Sequence, residues 1–237
     1  AHDGGVIIQT HQDAAQPLKI VVEVGNDMAQ HCAHTGSSRI TDETIKMMLK
    51  KNFYCGTQWG LLSPEEQRQV RENDFPGEEM NGQDGVDFSV ENAVRLIKAG
   101  VPQLVSTDAG TIDPDIAKDF PNGGPGGMGG KSGLIGEAEF IEMQAMSQRG
   151  MTPMQIIQAA TKNIAAAYKK LATLGTLEPG KVADLVVVDA DPLADIANLR
   201  KVSMVVKDGM TVDRASLPLK PILTSPEAVD PGTVRTK

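Results

Sequence analysis

Three short apolar runs in this chain each end on a side chain that can bind a metal. VIIQTH closes on His11, DMAQHC carries His31, and LVSTD closes on Asp108. Each run has strand length, and segments with apolar residues at helical spacing stand between them, so residues 6 to about 110 read as successive βα units. A repeated βα unit leaves few architectures open, because parallel strands must be joined by long crossovers that lay helices on the sheet. The fold class is therefore α/β, with chemistry expected at the C-terminal ends of the strands.

The first strand candidate is residues 6–11, followed by a helix in AAQPLKIVVEVG that stops at Gly25, a C′ position. Residues 27–32 form the second strand candidate. Thr41 is the expected N-cap of TDETIKMMLKKN, whose acidic first turn and basic last turn suit the helix dipole. The third strand candidate is residues 52–58. Leu61 to Asp87 reads as a helical excursion and a long polar loop, a kind of segment that often serves as a lid. The helix SVENAVRLIKAG and the fourth strand, VPQLVSTDAG, come next. A Gly-rich loop then leads to EAEFIEMQAMSQRG and to one long helix in TPMQIIQAATKNIAAAYKKL, capped by Thr152 with Pro153 at N1. From about Gly175 the period changes to two, and VADLVVVD, KVSMVVKDG and MTVDR read as antiparallel strands. The expected division is an α/β unit over 1–172, a small β module over 173–214, and a Pro-rich tail over 215–237.

A net charge of −8 would repel phosphate backbones, and no Lys/Arg cluster interleaved with aromatics offsets it, so nucleic acid is not an expected partner. The two cysteines, Cys32 and Cys55, lack the spacing of a zinc knuckle or a disulfide framework and are expected to be reduced. No apolar stretch is long enough for a membrane helix, and AHDGGVIIQ lacks a signal-peptide pattern. A cytoplasmic location with no membrane partner is the expectation.

A lone histidine at a strand end is more often a hydrogen-bonded structural residue than a ligand. Two on successive strands, with an aspartate at the end of a later one, are what a (β/α)8 metal enzyme needs, since its strands converge on one mouth. Imidazole nitrogens and a carboxylate suit a divalent ion, zinc above all, with an open position for water. The ion would lower that water's pKa towards about 7 and give a hydroxide nucleophile, while Asp108 passes its proton to the leaving group.

The segments VIIQTHQ, VGNDMAQHC, ITDETIKMMLKKNFYC, LIKAGVPQLVSTDAG, MTPMQIIQAATKNIAAAY and LGTLEPGKVADLVVVDADPLADIANLRKVSMVVKDGMTVD together resemble amidohydrolases of the imidazolonepropionase and Xaa-Pro dipeptidase type. The last is the most specific, and the resemblance covers residues 1 to about 214. It implies the C-terminal half of a (β/α)8 TIM-type barrel plus part of a small β-sandwich. It implies that His11 and His31 are the strand-five and strand-six ligands of a second metal. Asp108 would be the strand-eight aspartate that binds the first metal and serves as general acid and base. The activity implied is hydrolysis of an amide, peptide or cyclic amide C–N bond in a small or dipeptide-like substrate, with one or two zinc ions in the complete enzyme.

The family's strand-one His-x-His pair and its strand-four lysine have no counterpart here. Four barrel strands are therefore expected from an N-terminal half supplied in cis or as a second chain, and an oligomer is expected, because a cut barrel exposes strand edges. The competing expectation is a non-catalytic fragment or subunit; a heterocycle deaminase of the same superfamily is the remoter alternative.

Four smaller features complete the sequence. His34, beside His31 in HCAH, is a candidate substrate contact or a loop residue near the mouth. Gln30 stands where many relatives carry Glu, which removes a charge without removing a ligand. GGPGGMGGKS places Pro125 where a phosphate-binding loop needs its first glycine, so a mobile cover over the mouth is expected rather than a nucleotide site. The methionines of EFIEMQAMSQRGM are expected in the core.

Overall fold

The computed structural model describes residues 2–109 and 136–217. The Gly-rich loop after Asp108 and the tail beyond residue 217 lie outside the described residues.

Four short parallel strands form one sheet in the order β1 (Gln9–His11), β2 (Met28–Gln30), β3 (Tyr54–Gly56), β4 (Gln103–Leu104). In register, His11 pairs with Gln30, Ala29 with Cys55, and Gly56 with Leu104. The crossovers carry α1 (Ala15–Glu23), α2 (Asp42–Lys50), α3 (Pro64–Glu72) and α4 (Ser89–Ala99). Their ends follow local chemistry. Thr41 caps α2 by accepting the N–H of Thr44, Ser63 and Glu66 form a capping box on α3, and Gly25 and Gly100 take the left-handed conformation after α1 and α4.

Strand alternation divides the sheet's side chains between two cores. Ala29 and Cys55 face the helices, where Leu18, Val22, Met48, Phe53, Leu96 and Ile156 are fully buried. Met28, Leu104 and Tyr54 face the other way and pack on Ile164 and Ala167. That second face is therefore partly covered by a helix of this same chain.

The helix α5 (Ala138–Gln148) buries Met143 and Met146, and Met151 follows it into the core, as expected of the methionine-rich segment. The single long helix expected after Thr152 is two, α6 (Pro153–Ala160) and α7 (Lys162–Ala167), broken at Thr161. The cause is competition for a carbonyl. The Ala159 oxygen accepts the N–H of Val105, just beyond β4, at 3.3 Å, and Asn163 donates its side chain to the Gln103 carbonyl at 3.1 Å. The helix gives up continuity to satisfy the backbone at the edge of the sheet.

Beyond these helices, β5 (Leu185–Val188), β6 (Val202–Lys207) and β7 (Met210–Thr211) form an antiparallel sheet. A 3₁₀ turn over Ile196–Arg200 ties it to the α/β unit: Ile196 is buried in the larger core, and Arg200 pairs with Glu137 at 2.7 Å while lying over the Phe140 ring. Among the described residues no helix is long and apolar enough to cross a membrane.

Candidate active site

The C-terminal ends of the strands bring His11, His31, His34 and Asp108 to one rim, and they do so by breaking strand geometry. His11 ends β1 opposite Gln30, so continued alternation would send the next residue of β2, His31, to the other face. His31 instead has φ +59°. A non-glycine residue in the left-handed region is held there by its surroundings. The His31 carbonyl accepts the side-chain amide of Gln12 at 2.9 Å and the N–H of His34 at 2.9 Å. The turn brings the His31 ring edge-on to His11, centroids 4.7 Å apart, with His34 stacked on its far side at 5.7 Å.

Asp108 also has a positive φ, +50°, and the hydroxyl of Thr107 accepts the N–H of Ala109 at 3.2 Å to fix that turn. Its Oδ2 stands 3.4 Å from Nε2 of His31. The His31 side chain is 5% exposed and that of Asp108 42%, so the pair has one buried and one open member. Burial pushes the His31 pKa down, opposed by the Asp108 carboxylate and the nearby Gln58 amide; burial likewise lowers that of His34. Both rings are thereby favoured in the neutral form that a ligand must have.

The donor chemistry fits a divalent ion at His31 and Asp108. His31 Nδ1 is buried without a hydrogen-bond partner, an unusual state for a ring nitrogen, and Nε2 faces a carboxylate. His11 is differently placed. Its side chain is 65% exposed and its Nε2 lies 2.8 Å from the Asp13 carboxylate. Among the described residues no group of three or more His, Cys, Asp or Glu is arranged around one point. The two cysteines, as expected, are buried free thiols.

Sequence reasoning missed the residues that hold this rim. Gln12 is buried, and besides reaching His31 it accepts the N–H of Ala14 at 3.1 Å, which ties the loop after β1 to the turn after β2. Gly56 leaves room for Gln30: a Cβ there would collide with the Gln30 side-chain amide. The segment from 61 to 87 and the start of α4 dock on the loop after β2. Gly82 donates to the Ser37 carbonyl at 2.6 Å and Phe88 to that of Gly36 at 2.9 Å, while Arg39 pairs with Glu91 at 2.8 Å. Buried Asn92 completes that brace by accepting the N–H of Ile40 at 2.9 Å.

The profile of the amidohydrolase family matches residues 1–212. The chain belongs to the amidohydrolase family. It is 32% identical over 190 residues to an imidazolonepropionase of Geobacillus kaustophilus (strain HTA426), a match covering 77% of this chain and 33% of that protein. Among solved structures it is similar to molinate hydrolase, at 39% identity and TM-score 0.76, covering 94% of this chain and 46% of that one. It is also similar to phenylurea hydrolase B, at 32% identity and TM-score 0.75, covering 95% and 47%. A Xaa-Pro dipeptidase shares the fold at 24% identity and TM-score 0.61, covering 90% and 46%. The amidohydrolase chain thus spans a third of the imidazolonepropionase and just under half of the solved hydrolases. The family read from the sequence is the family found, and an imidazolonepropionase is among its relatives.

Proposed function

We propose that this amidohydrolase chain supplies the C-terminal half of a (β/α)8 barrel and part of a β-sandwich to a metal-dependent hydrolase that cleaves an amide, peptide or cyclic amide C–N bond. The observation that carries the reading is the approach of His31 and Asp108, two residues from different strands that each adopt a strained turn to meet at 3.4 Å. The names of its relatives, hydrolases of molinate and phenylurea and an imidazolonepropionase, support hydrolysis as the reaction class.

Amidohydrolases generally use a divalent metal, and here His31 and Asp108 would hold it, zinc being the ion we favour, with His11 joining once released from Asp13. When bound, such an ion acidifies a water. Asp108 stands on the solvent side of His31, where its carboxylate would take the proton of the attacking water and return it to the leaving nitrogen. His34, stacked behind His31, would contact substrate from the loop after β2.

Completion of the site by a further segment, in the same polypeptide or in a partner, is supported by the open side of β1. Among the described residues no strand pairs with its outer edge, and Val6 beside it is exposed. Exposed Val186 and Met210, on one face of the antiparallel sheet, offer a second apolar surface for such a segment or for an oligomer contact.

The test is Asp108→Asn in the complete enzyme. The variant is expected to fold as the wild type does and to lose about a hundred- to ten-thousand-fold in turnover, the range of a positioned acid and base. Turnover near wild type would contradict the assignment.

A further inference from the structure

The side chain with the most unusual surroundings outside the histidine rim is Glu142, on α5. It is buried, and each oxygen accepts a backbone N–H from the loop that follows β3: Oε1 from Gln58 at 3.2 Å and Oε2 from Trp59 at 2.6 Å. The same face of α5 continues along this loop. Gln148 accepts the N–H of Leu62 at 2.7 Å, and Arg149 donates to the Gly60 carbonyl at 2.9 Å while its guanidinium lies 5.1 Å over the Trp59 ring. Three polar residues of one helix thus hold the backbone from 58 to 62.

What they hold is strained. Gln58 has φ +116°, a conformation that a residue with a side chain rarely adopts, and its amide acts on the His31 ring. The preceding residue is fixed from the other side, since Thr57 donates both its N–H, at 3.0 Å, and its hydroxyl, at 2.9 Å, to the Leu104 carbonyl of β4. The chain is pinned on one side by β4 and on the other by α5, and Gln58 is the residue between the two pins.

We propose that Glu142 is a positioning residue: by accepting the N–H groups of Gln58 and Trp59 it holds Gln58 in its left-handed turn and so keeps the Gln58 amide against the His31 ring. The consequence for catalysis rests on the reading of His31 as a site residue; the positioning itself does not. Ionised, the Glu142 carboxylate offers two acceptors and no donor, whereas a glutamine turns an NH2 towards one of the two N–H groups at every pH.

Trp59 is the chain's only tryptophan, so its emission reports on this loop alone. In Glu142→Gln, amide hydrogen exchange at Gln58 and Trp59 is expected to rise about ten-fold or more, with exchange in β1 and β2 unchanged. The Trp59 emission and the His31 imidazole resonances are expected to shift together. Gln58→Gly keeps Glu142 and removes both the strain and the amide; it is expected to move the His31 resonances as Glu142→Gln does while leaving the Trp59 N–H protected. Unchanged His31 resonances in both variants, or unchanged protection of Gln58 and Trp59 in folded Glu142→Gln, would overturn the proposal. None of these readouts needs turnover, so a failure of the hydrolase reading would show in the Asp108→Asn assay and leave them untouched.

Discussion

The two sides of the rim are built to different standards. On the side of β2, β3 and β4, His31 is buried, Gln58 is clamped between a helix and a strand, and Asp108 is set by its own turn. On the side of β1, His11 is exposed and rests on Asp13, itself exposed, two residues along the chain. The same residue type ends adjacent strands, yet one imidazole is held by the fold and the other by a solvent-facing contact. Catalytic groups gain from being fixed before substrate arrives. On the proposed reading, the firmly held part of the site lies between β2 and β4, and β1 would be the side for a further segment.

The largest expected difference is the pH response of the β3 loop. Burial raises the Glu142 pKa to about 7, with hydrogen bonds from the Gln58 and Trp59 N–H groups and the charge of Arg149 pulling the other way. Arg149 is itself lowered to about 10 by burial, against the pull of Glu142 and Glu66. The folded chain therefore keeps the Glu142 proton to higher pH than the unfolded chain, whose carboxyl titrates near 4.5. Stability then falls as pH rises from about 4.5 to 7, by roughly 3 kcal/mol in all. His31 and His34, with lowered pKa values, contribute the opposite slope at the acid end, so the difference between wild type and Glu142→Gln isolates the carboxyl. The denaturant midpoint at pH 8 minus that at pH 5 should be more positive in the variant than in the wild type; an equal difference would remove Glu142 from the account of the rim.

Next is the link between the two sides. Gln12→Ala leaves the buried His31 carbonyl with one donor fewer and is expected to cost about 1–2 kcal/mol in urea unfolding. A cost below about half a kcal/mol would mean that the left-handed turn at His31 is held without Gln12. The smallest effect belongs to Asp13→Ala. An ion pair between two exposed side chains contributes about 0–1 kcal/mol, so thermal unfolding should barely move. A large loss there would show that the β1 side is as firmly built as the other, and the contrast would fail.

Much of this molecule was legible in its sequence because local chemistry and global fold agree. The βα order, the Thr41 and Thr152 caps, the Gly25 stop and the switch to antiparallel strands after Gly175 all follow from patterns a few residues long. The break at Thr161 was not legible, since it depends on a carbonyl being claimed by Val105, far away in the chain. The site divides in the same way. His11, His31 and Asp108, the residues of the proposed site, stand out by residue type and position at strand ends. Gln12, Gln58 and Glu142 do not, because amides and the second acid of EFIEMQAM become informative only when their partners are known. A buried acid inside an apolar helical stretch was the one signal that could have been read.

Calorimetric titration of zinc into the metal-free chain, its His31→Ala variant and its His11→Ala variant tests whether the buried histidine anchors a metal site. Zinc is expected to bind the wild type, to lose its binding in His31→Ala, and to bind His11→Ala more weakly but measurably. Equal affinity for wild type and His31→Ala would contradict the assignment of His31 and Asp108 as the anchored part of an amidohydrolase site.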